Sequence, residues 1–132
     1  MYYYQEHGIV LPSELEELFL AGAPDLLPPG PVLGGIADHP GYSVTVRNAE
    51  SKLIGFLSAM DDGAVNACLT LVLVHPDFRR NGIATEMMRL AGEHYRSYYH
   101  LRLIASPDNA YFCQHRGFVV RSREIPMKRM NA

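Results

Sequence analysis

Apolar residues change their spacing segment by segment along this chain, and each spacing predicts an element. Tyr2, Tyr3 and Tyr4 carry strand-favouring rings and predict a short strand over 2–5. Leu15, Leu18 and Phe19 then form one apolar stripe of a helix. Ser13 is its candidate cap, with Glu16 three residues on, and Gly22 followed by Pro24 ends it. Residues 24–41 are rich in proline and glycine and predict a loop, with a short helical turn over 32–37. Strands are predicted over 42–47 and 52–60, joined by the polar turn 48–51, and Asp61-Asp62-Gly63 is a hairpin signal. Over 65–74 the apolar run is nearly continuous, as in a strand covered on both faces. Ile83, Met87, Leu90, Ala91, His94 and Tyr98 recur at helical spacing and predict a helix over 82–99. A short strand over 101–105 follows. Ser106 and Pro107 open a last helix that ends at Gly117, and strands over 118–122 and 125–129 close the chain.

This order is an antiparallel meander followed by strand–helix–strand–helix–strand, an α/β fold with a mixed sheet. At 132 residues, with 48% hydrophobic and 20% charged residues, 1–132 reads as one globular domain. A net charge of −2 argues against a dedicated nucleic-acid binder. The first residues carry no signal-peptide pattern, and the run near 64–74 is too short to cross a bilayer as a helix, so no membrane partner is expected. Cys68 and Cys113 suggest no disulfide framework and point to a reduced cytoplasmic setting. The six histidines show no metal-ligand spacing, and no metal is expected. Charge is uneven: Glu6, Glu14, Glu16, Glu17, Asp25 and Asp38 precede Arg47, whereas all 12 basic residues lie from Arg47 onward. Such asymmetry suits a cationic acceptor on one side and phosphates on the other, and equally suits ordinary solvated surface.

The candidate chemistry centres on Val74-His75-Pro76-Asp77-Phe78-Arg79-Arg80-Asn81-Gly82-Ile83-Ala84, which joins a strand end to a helix start. Amides at a helix start are free donors, and the helix dipole adds positive character there. A glycine beside them lets a phosphate approach, and arginines add charge and forked donors. The reading is a pyrophosphate cradle of Arg79, Arg80, Asn81, Gly82, Ile83, Ala84 and Thr85. Neither of the common nucleotide-phosphate glycine motifs occurs.

Arg79-x-x-Gly82-x-Ala84 resembles the acyl-CoA-binding signature of the GNAT superfamily of N-acetyltransferases. Downstream, Phe112-Cys113-Gln114-His115-Arg116-Gly117-Phe118 resembles that family's Phe-Tyr-x-x-x-Gly-Phe segment, in matching order. The resemblance runs from about Gly55 to Phe118. It implies a GNAT-like, mostly antiparallel mixed sheet flanked by helices, with its two central strands, 65–74 and 101–105, splayed apart around a pantetheine arm. It implies acetyl-CoA as cosubstrate and an amine acceptor, on a small molecule or peptide, attacking directly in a ternary complex. It also implies a homodimer. Leu73 and Val74 would offer backbone groups to the pantetheine, and Asn109 and Phe112 would join the cofactor-binding set.

Acetyl transfer needs a neutral amine and a protonated leaving thiol. The resemblance implies a tyrosine acid, yet Cys113 holds that position, as a shorter, weaker donor or as a small buried residue. The central strand holds no Asp, Glu or His. His75 at its end, Glu86 on the helix, His39 from the loops, and a solvent relay are the candidate bases. A non-catalytic acyl-CoA-binding or regulatory module of the same fold is the alternative these departures leave open.

Overall fold

Polar turns cut the apolar middle of the chain into a meander. Asp62 shapes one of them: one carboxylate oxygen accepts the amides of Ala64, Val65 and Asn66 at 2.9, 2.7 and 3.1 Å. In this computed structural model, which describes residues 1–131, one sheet runs β1-β2-β3-β4-β5. β1 (Tyr3–Glu6), β2 (Tyr42–Arg47), β3 (Leu53–Asp61) and β4 (Asn66–Val74) pair antiparallel in sequence, and β5 (His100–Leu103) lies parallel to β4. Helices α1 (Pro12–Gly22) and α2 (Gly30–Asp38) cover one face, and α3 (Ile83–His94) covers the other. Strand alternation dictates this division. Val44, Val46, Leu57 and Ala59 meet Ile83, Met87 and Ala91 of α3, whereas Leu53, Phe56 and Leu73 meet Leu15, Leu18 and Phe19 of α1. α4 (Pro107–His115) adds Cys113 to the α3-side core. The protein is a mixed α/β fold with a mostly antiparallel sheet.

β4 and β5 pair only from Asn66–His100 to Leu69–Leu103. Beyond Leu69, residues 70–74 of β4 have no strand on that side among the described residues. The parting begins at a bulge. Ser58 faces Leu71 and Ala59 faces Leu69, so Thr70 is the extra residue. The Thr70 Oγ1 donates to the Ser58 carbonyl at 3.1 Å and lies 2.9 Å from Ser58 Oγ.

Several elements depart from the sequence expectation. Residues 118–122 and 125–129 form no strand, and Val119, Ile125 and Met127 are exposed. Alternation describes a chain that would fit a sheet, but only a ladder partner makes it a strand. The segment instead turns at Arg121, whose carbonyl accepts the Glu124 amide. α1 starts at Pro12, because the Glu14 carboxylate accepts the Leu11 amide at 3.0 Å in place of the expected Ser13–Glu16 cap. α3 stops at His94 instead of running to residue 99. Tyr95 turns inward there, and its hydroxyl, with that of Tyr98, donates to Asp61 at 2.8 and 3.2 Å. α2 is longer than the predicted turn.

Gly41 has φ of 69°, and a Cβ there would fall 2.0 Å from the Ala59 carbonyl oxygen. Gly41→Ala is expected to cost more than about 2 kcal/mol, read from urea unfolding. Arg47 binds Glu14 through both guanidinium nitrogens, at 2.6 and 3.1 Å, tying α1 to β2. That hydrogen bonding holds the Glu14 carboxyl below its ordinary range. The stability it brings is full above the unfolded carboxyl value, about 4.3, and fades as pH falls through the lower folded value. Arg47→Gln is expected to flatten this part of the acid-unfolding curve.

Candidate active site

The chain after β4 builds its loop from backbone outward. The His75 amide donates to the Ile54 carbonyl at 2.8 Å, and its buried ring stands edge-on to Phe78. The His75 Nδ1 accepts the Asp77 amide at 3.1 Å and so opens the 3₁₀ turn Pro76–Phe78. Arg80 and Gly82 then both take left-handed backbone, with φ of 67° and 74°. Two such residues within three positions curl the loop into the kind of concavity that gathers amides toward an anion. The Asn81 side-chain amide donates to the Phe78 and Arg79 carbonyls at 3.0 and 3.3 Å and holds the curl. Ile83 anchors the far end in the core, where a Cβ on Gly55 would approach its Cγ2 to 3.1 Å.

Gly82 is the N-cap of α3 and offers no side-chain cap. The first helical bond runs from the Glu86 amide to the Gly82 carbonyl at 2.9 Å, so the amides of Ile83, Ala84 and Thr85 have no intrahelical acceptor. A Cβ at Gly82 would meet no protein atom within 4 Å, so backbone conformation, not packing against the protein, calls for glycine here. A group bearing a diphosphate, such as coenzyme A, fits these donors and this bare backbone.

The second segment of the sequence comes to the same place. α4 ends with the Phe118 amide on the Cys113 carbonyl and the Gly117 amide on the Gln114 carbonyl, Gly117 having φ of 94°. This ending sets Arg116 beside the loop. Its Nη1 donates to the Thr85 Oγ1 at 3.1 Å, and its guanidinium stands 5.3 Å from the Phe112 ring centre. Arg116, which the sequence placed only among the basic residues of the C-terminal segment, thus stands beside the start of α3. Arg79, expected as a rim charge, donates from Nη2 to the Gly22 carbonyl at 3.1 Å and clamps the end of α1.

The remaining candidates are dispersed. Leu73 and Val74 turn their side chains into opposite faces and lie in the stretch of β4 that has no strand on its β5 side among the described residues. Asn109 is exposed on α4, and Phe112 is partly so. Cys113 is buried in the core, and burial pushes its thiol up. Glu86 is bound by Arg89 at 2.7 and 2.9 Å, which lowers its carboxyl. His75 stands five residues past Thr70, roughly 16 Å at about 3.3 Å per residue. A cavity of about 260 Å³ opens beside Thr70, under the end of α2, with His39 on its wall. Among the described residues, no helix is long and apolar enough to cross a membrane, and no three His, Cys, Asp or Glu are grouped to hold a metal ion.

A sequence model of the acetyltransferase (GNAT) domain matches residues 40–120. The "Uncharacterized N-acetyltransferase ycf52" of Gracilaria tenuistipitata var. liui is 32% identical over 75 residues, 55% of this chain and 41% of that protein. The match therefore spans about two fifths of that relative's length. Two solved structures share the fold from end to end. A GNAT-family acetyltransferase of Streptococcus pneumoniae TIGR4 superposes with a TM-score of 0.84 at 19% identity, covering 99% of this chain and 98% of its own. A protein of unknown function from meticillin-resistant Staphylococcus aureus, described as a probable acetyltransferase, gives 0.86 at 14% identity, with 100% of both chains covered. This chain belongs to the GNAT acetyltransferase family.

The His75 geometry carries its own prediction. His75→Ala removes a packed ring and a cap acceptor and is expected to cost about 1–2 kcal/mol in urea unfolding. His75→Asn keeps an acceptor and should recover part of that loss.

Proposed function

We propose that this chain transfers the acetyl group of acetyl-CoA to a primary amine, on a small molecule or a peptide, by direct attack in a ternary complex. One observation carries the reading: uncapped amides at 83–85 stand at one end of the β4 stretch 70–74, whose backbone has no strand on one side. Family membership supports it. Bound acetyl-CoA supplies an activated thioester. The amides of Ile83, Ala84 and Thr85, with Arg80 and Arg116 near them, bind its diphosphate. Arg79 and Asn81 hold the loop in shape. The backbone of Leu73 and Val74 takes the pantetheine amides as a sheet edge takes an added strand. Asn109 and Phe112 flank the arm from α4.

Holding both reactants in line offsets about 7–11 kcal/mol of the barrier. The acceptor must also lose a proton. A lysine-like amine with a pKa of about 10.4 stands some 3 units above neutral pH, worth about 4 kcal/mol. His75 does not serve as this base in our reading, because its Nδ1 is spent on the Asp77 amide. The free thiols of Cys68 and Cys113 support a reducing cytoplasm. The burial of Cys113 favours a second reading, an acyl-CoA-binding module without turnover, since no phenol stands where the resemblance puts an acid.

Calorimetry with acetyl-CoA, followed by thiol release across a panel of primary amines, tests both readings. Gly82→Asp tolerates the left-handed backbone and lays a carboxylate over the amides. It is expected to weaken acetyl-CoA binding at least tenfold, about 1.4 kcal/mol, with an unchanged circular dichroism spectrum. Binding without amine-dependent thiol release would favour the module. Absence of binding would overturn both.

A further inference from the structure

We infer that His39 takes the proton from the acceptor amine, in a small pocket at the Thr70 bulge whose hydroxyls orient that amine, and that the acceptor is compact with an uncharged body. The inference rests on the acetyl-transfer reading above and adds to it a proton acceptor and an acceptor class.

The pocket lies where the open stretch of β4 begins. Ile36, Pro40 and Met60 give it apolar walls, and His39, Ser58 and Thr70 are the polar ones. Thr70 is exposed although it sits in a central strand, because the bulge takes it out of the ladder just where β5 has parted from β4. Behind it runs a row of hydroxyls on the α1–α2 face. Ser43 lies opposite Ser58 across β2 and β3, and Ser58 bonds Thr70 across β3 and β4. The Ser43 Oγ is fully buried with no partner, the one such side-chain atom among the described residues. A buried hydroxyl without a partner costs about 1–3 kcal/mol, and such costs concentrate where a site uses them.

Among the described residues, His39 is the only titratable one on the pocket wall. Its backbone caps α2 by donating to the Gly35 carbonyl, while its imidazole makes no hydrogen bond within the described residues. The other candidates are committed: His75 to the Asp77 amide, Glu86 to Arg89, and Cys113 to the core. Charged and titratable groups on the surrounding elements are few. Asp38 ends α2 just before His39, Asp61 ends β3 after Met60, and Asp62 lies in the turn beyond it. The Tyr95 hydroxyl lowers the Asp61 carboxyl, and backbone amides led by that of Val65 lower that of Asp62, so both stay anionic. On β4, Cys68 lies opposite Met60, its thiol raised by burial. Tyr42 stacks on His94 on the other face of the sheet and donates to Glu6. Tyr95 and Tyr98 hold the Asp61 carboxylate on the α3 side of the sheet, and the pocket wall itself offers no carboxylate to hold a cationic charge inside. At about 260 Å³ the cavity falls below the roughly 300–1,000 Å³ that drug-sized ligands occupy.

The step balances simply. The neutral acceptor nitrogen forms a C–N bond to the acetyl carbon as the C–S bond breaks. The electron pair leaves on sulfur, which takes a proton from solvent. The nitrogen gives its proton to the His39 imidazole, which passes it to solvent.

The test compares wild type, His39→Gln and Thr70→Val with acetyl-CoA and benzylamine, tyramine or a lysine-containing tetrapeptide. Thiol release is followed against pH, and acetyl-CoA affinity is read by calorimetry. His39→Gln is expected to lower kcat/KM about a hundredfold and to abolish the acid limb of the wild-type pH profile. Its acetyl-CoA affinity should stay within about twofold of wild type. Thr70→Val is expected to raise the amine KM about tenfold with kcat less affected. Retention of rate and acid limb in His39→Gln would overturn the proposal. So would the tetrapeptide outperforming both small amines, or acetyl-CoA binding with no turnover in wild type, each leaving the cradle intact. Failure to bind acetyl-CoA at all would instead remove the reading beneath it.

Discussion

After Leu69, β4 keeps its hydrogen bonds to β3 and loses those to β5, so five residues of central strand, 70–74, carry main-chain groups with no ladder on one side. Backbone amides and carbonyls left unpaired away from water are costly, and most proteins satisfy nearly all of them. Here the parting has local causes. β5 is only four residues long and gives way to Ser106–Pro107, where proline removes a donor and starts α4. The bulge at Thr70 bends β4 at the same level. Every feature of the candidate site is laid out along this open edge.

The end of the edge is stiffened by contacts between distant parts of the chain. Arg79 fastens the end of α1, where a Cβ on Gly22 would lie 3.0 Å from the Val74 carbonyl oxygen. Arg116 fastens the end of α4 to Thr85. Asn81 closes the loop between them. The left-handed backbone at Arg80 is a strained conformation for a side-chain-bearing residue, about 1–3 kcal/mol, and these bonds hold it. A loop held in that shape has its amides arranged before any anion arrives, which saves ordering cost on binding.

Much of the fold was legible because local chemistry and periodicity agree. Asp61-Asp62-Gly63 turns as its residue types dictate, β2 occupies the stretch where alternation put it, and the Arg79–Gly82–Ala84 and Phe112–Gly117–Phe118 segments pointed to the family. What misled was pattern without partner. Val119 and Val120 have strand-forming side chains and no strand, and the helical stripe that includes Tyr98 continues past His94 where the helix does not. Arg79 was expected at the rim of the cradle, and spacing gave no sign that its guanidinium also bonds a carbonyl 57 positions away.

The sequence by itself determined the order of the elements as far as α4, the hairpin at Asp62 and the bare glycine before α3, because propensity, turn chemistry and capping act within a few residues. Tertiary structure alone decided where β4 and β5 part, that Thr70 is the bulge, and that His39 shares a cavity with it. It also decided which arginine reaches Thr85. Those outcomes depend on ladder register and on side chains meeting across tens of residues, distances over which spacing along the chain carries no information.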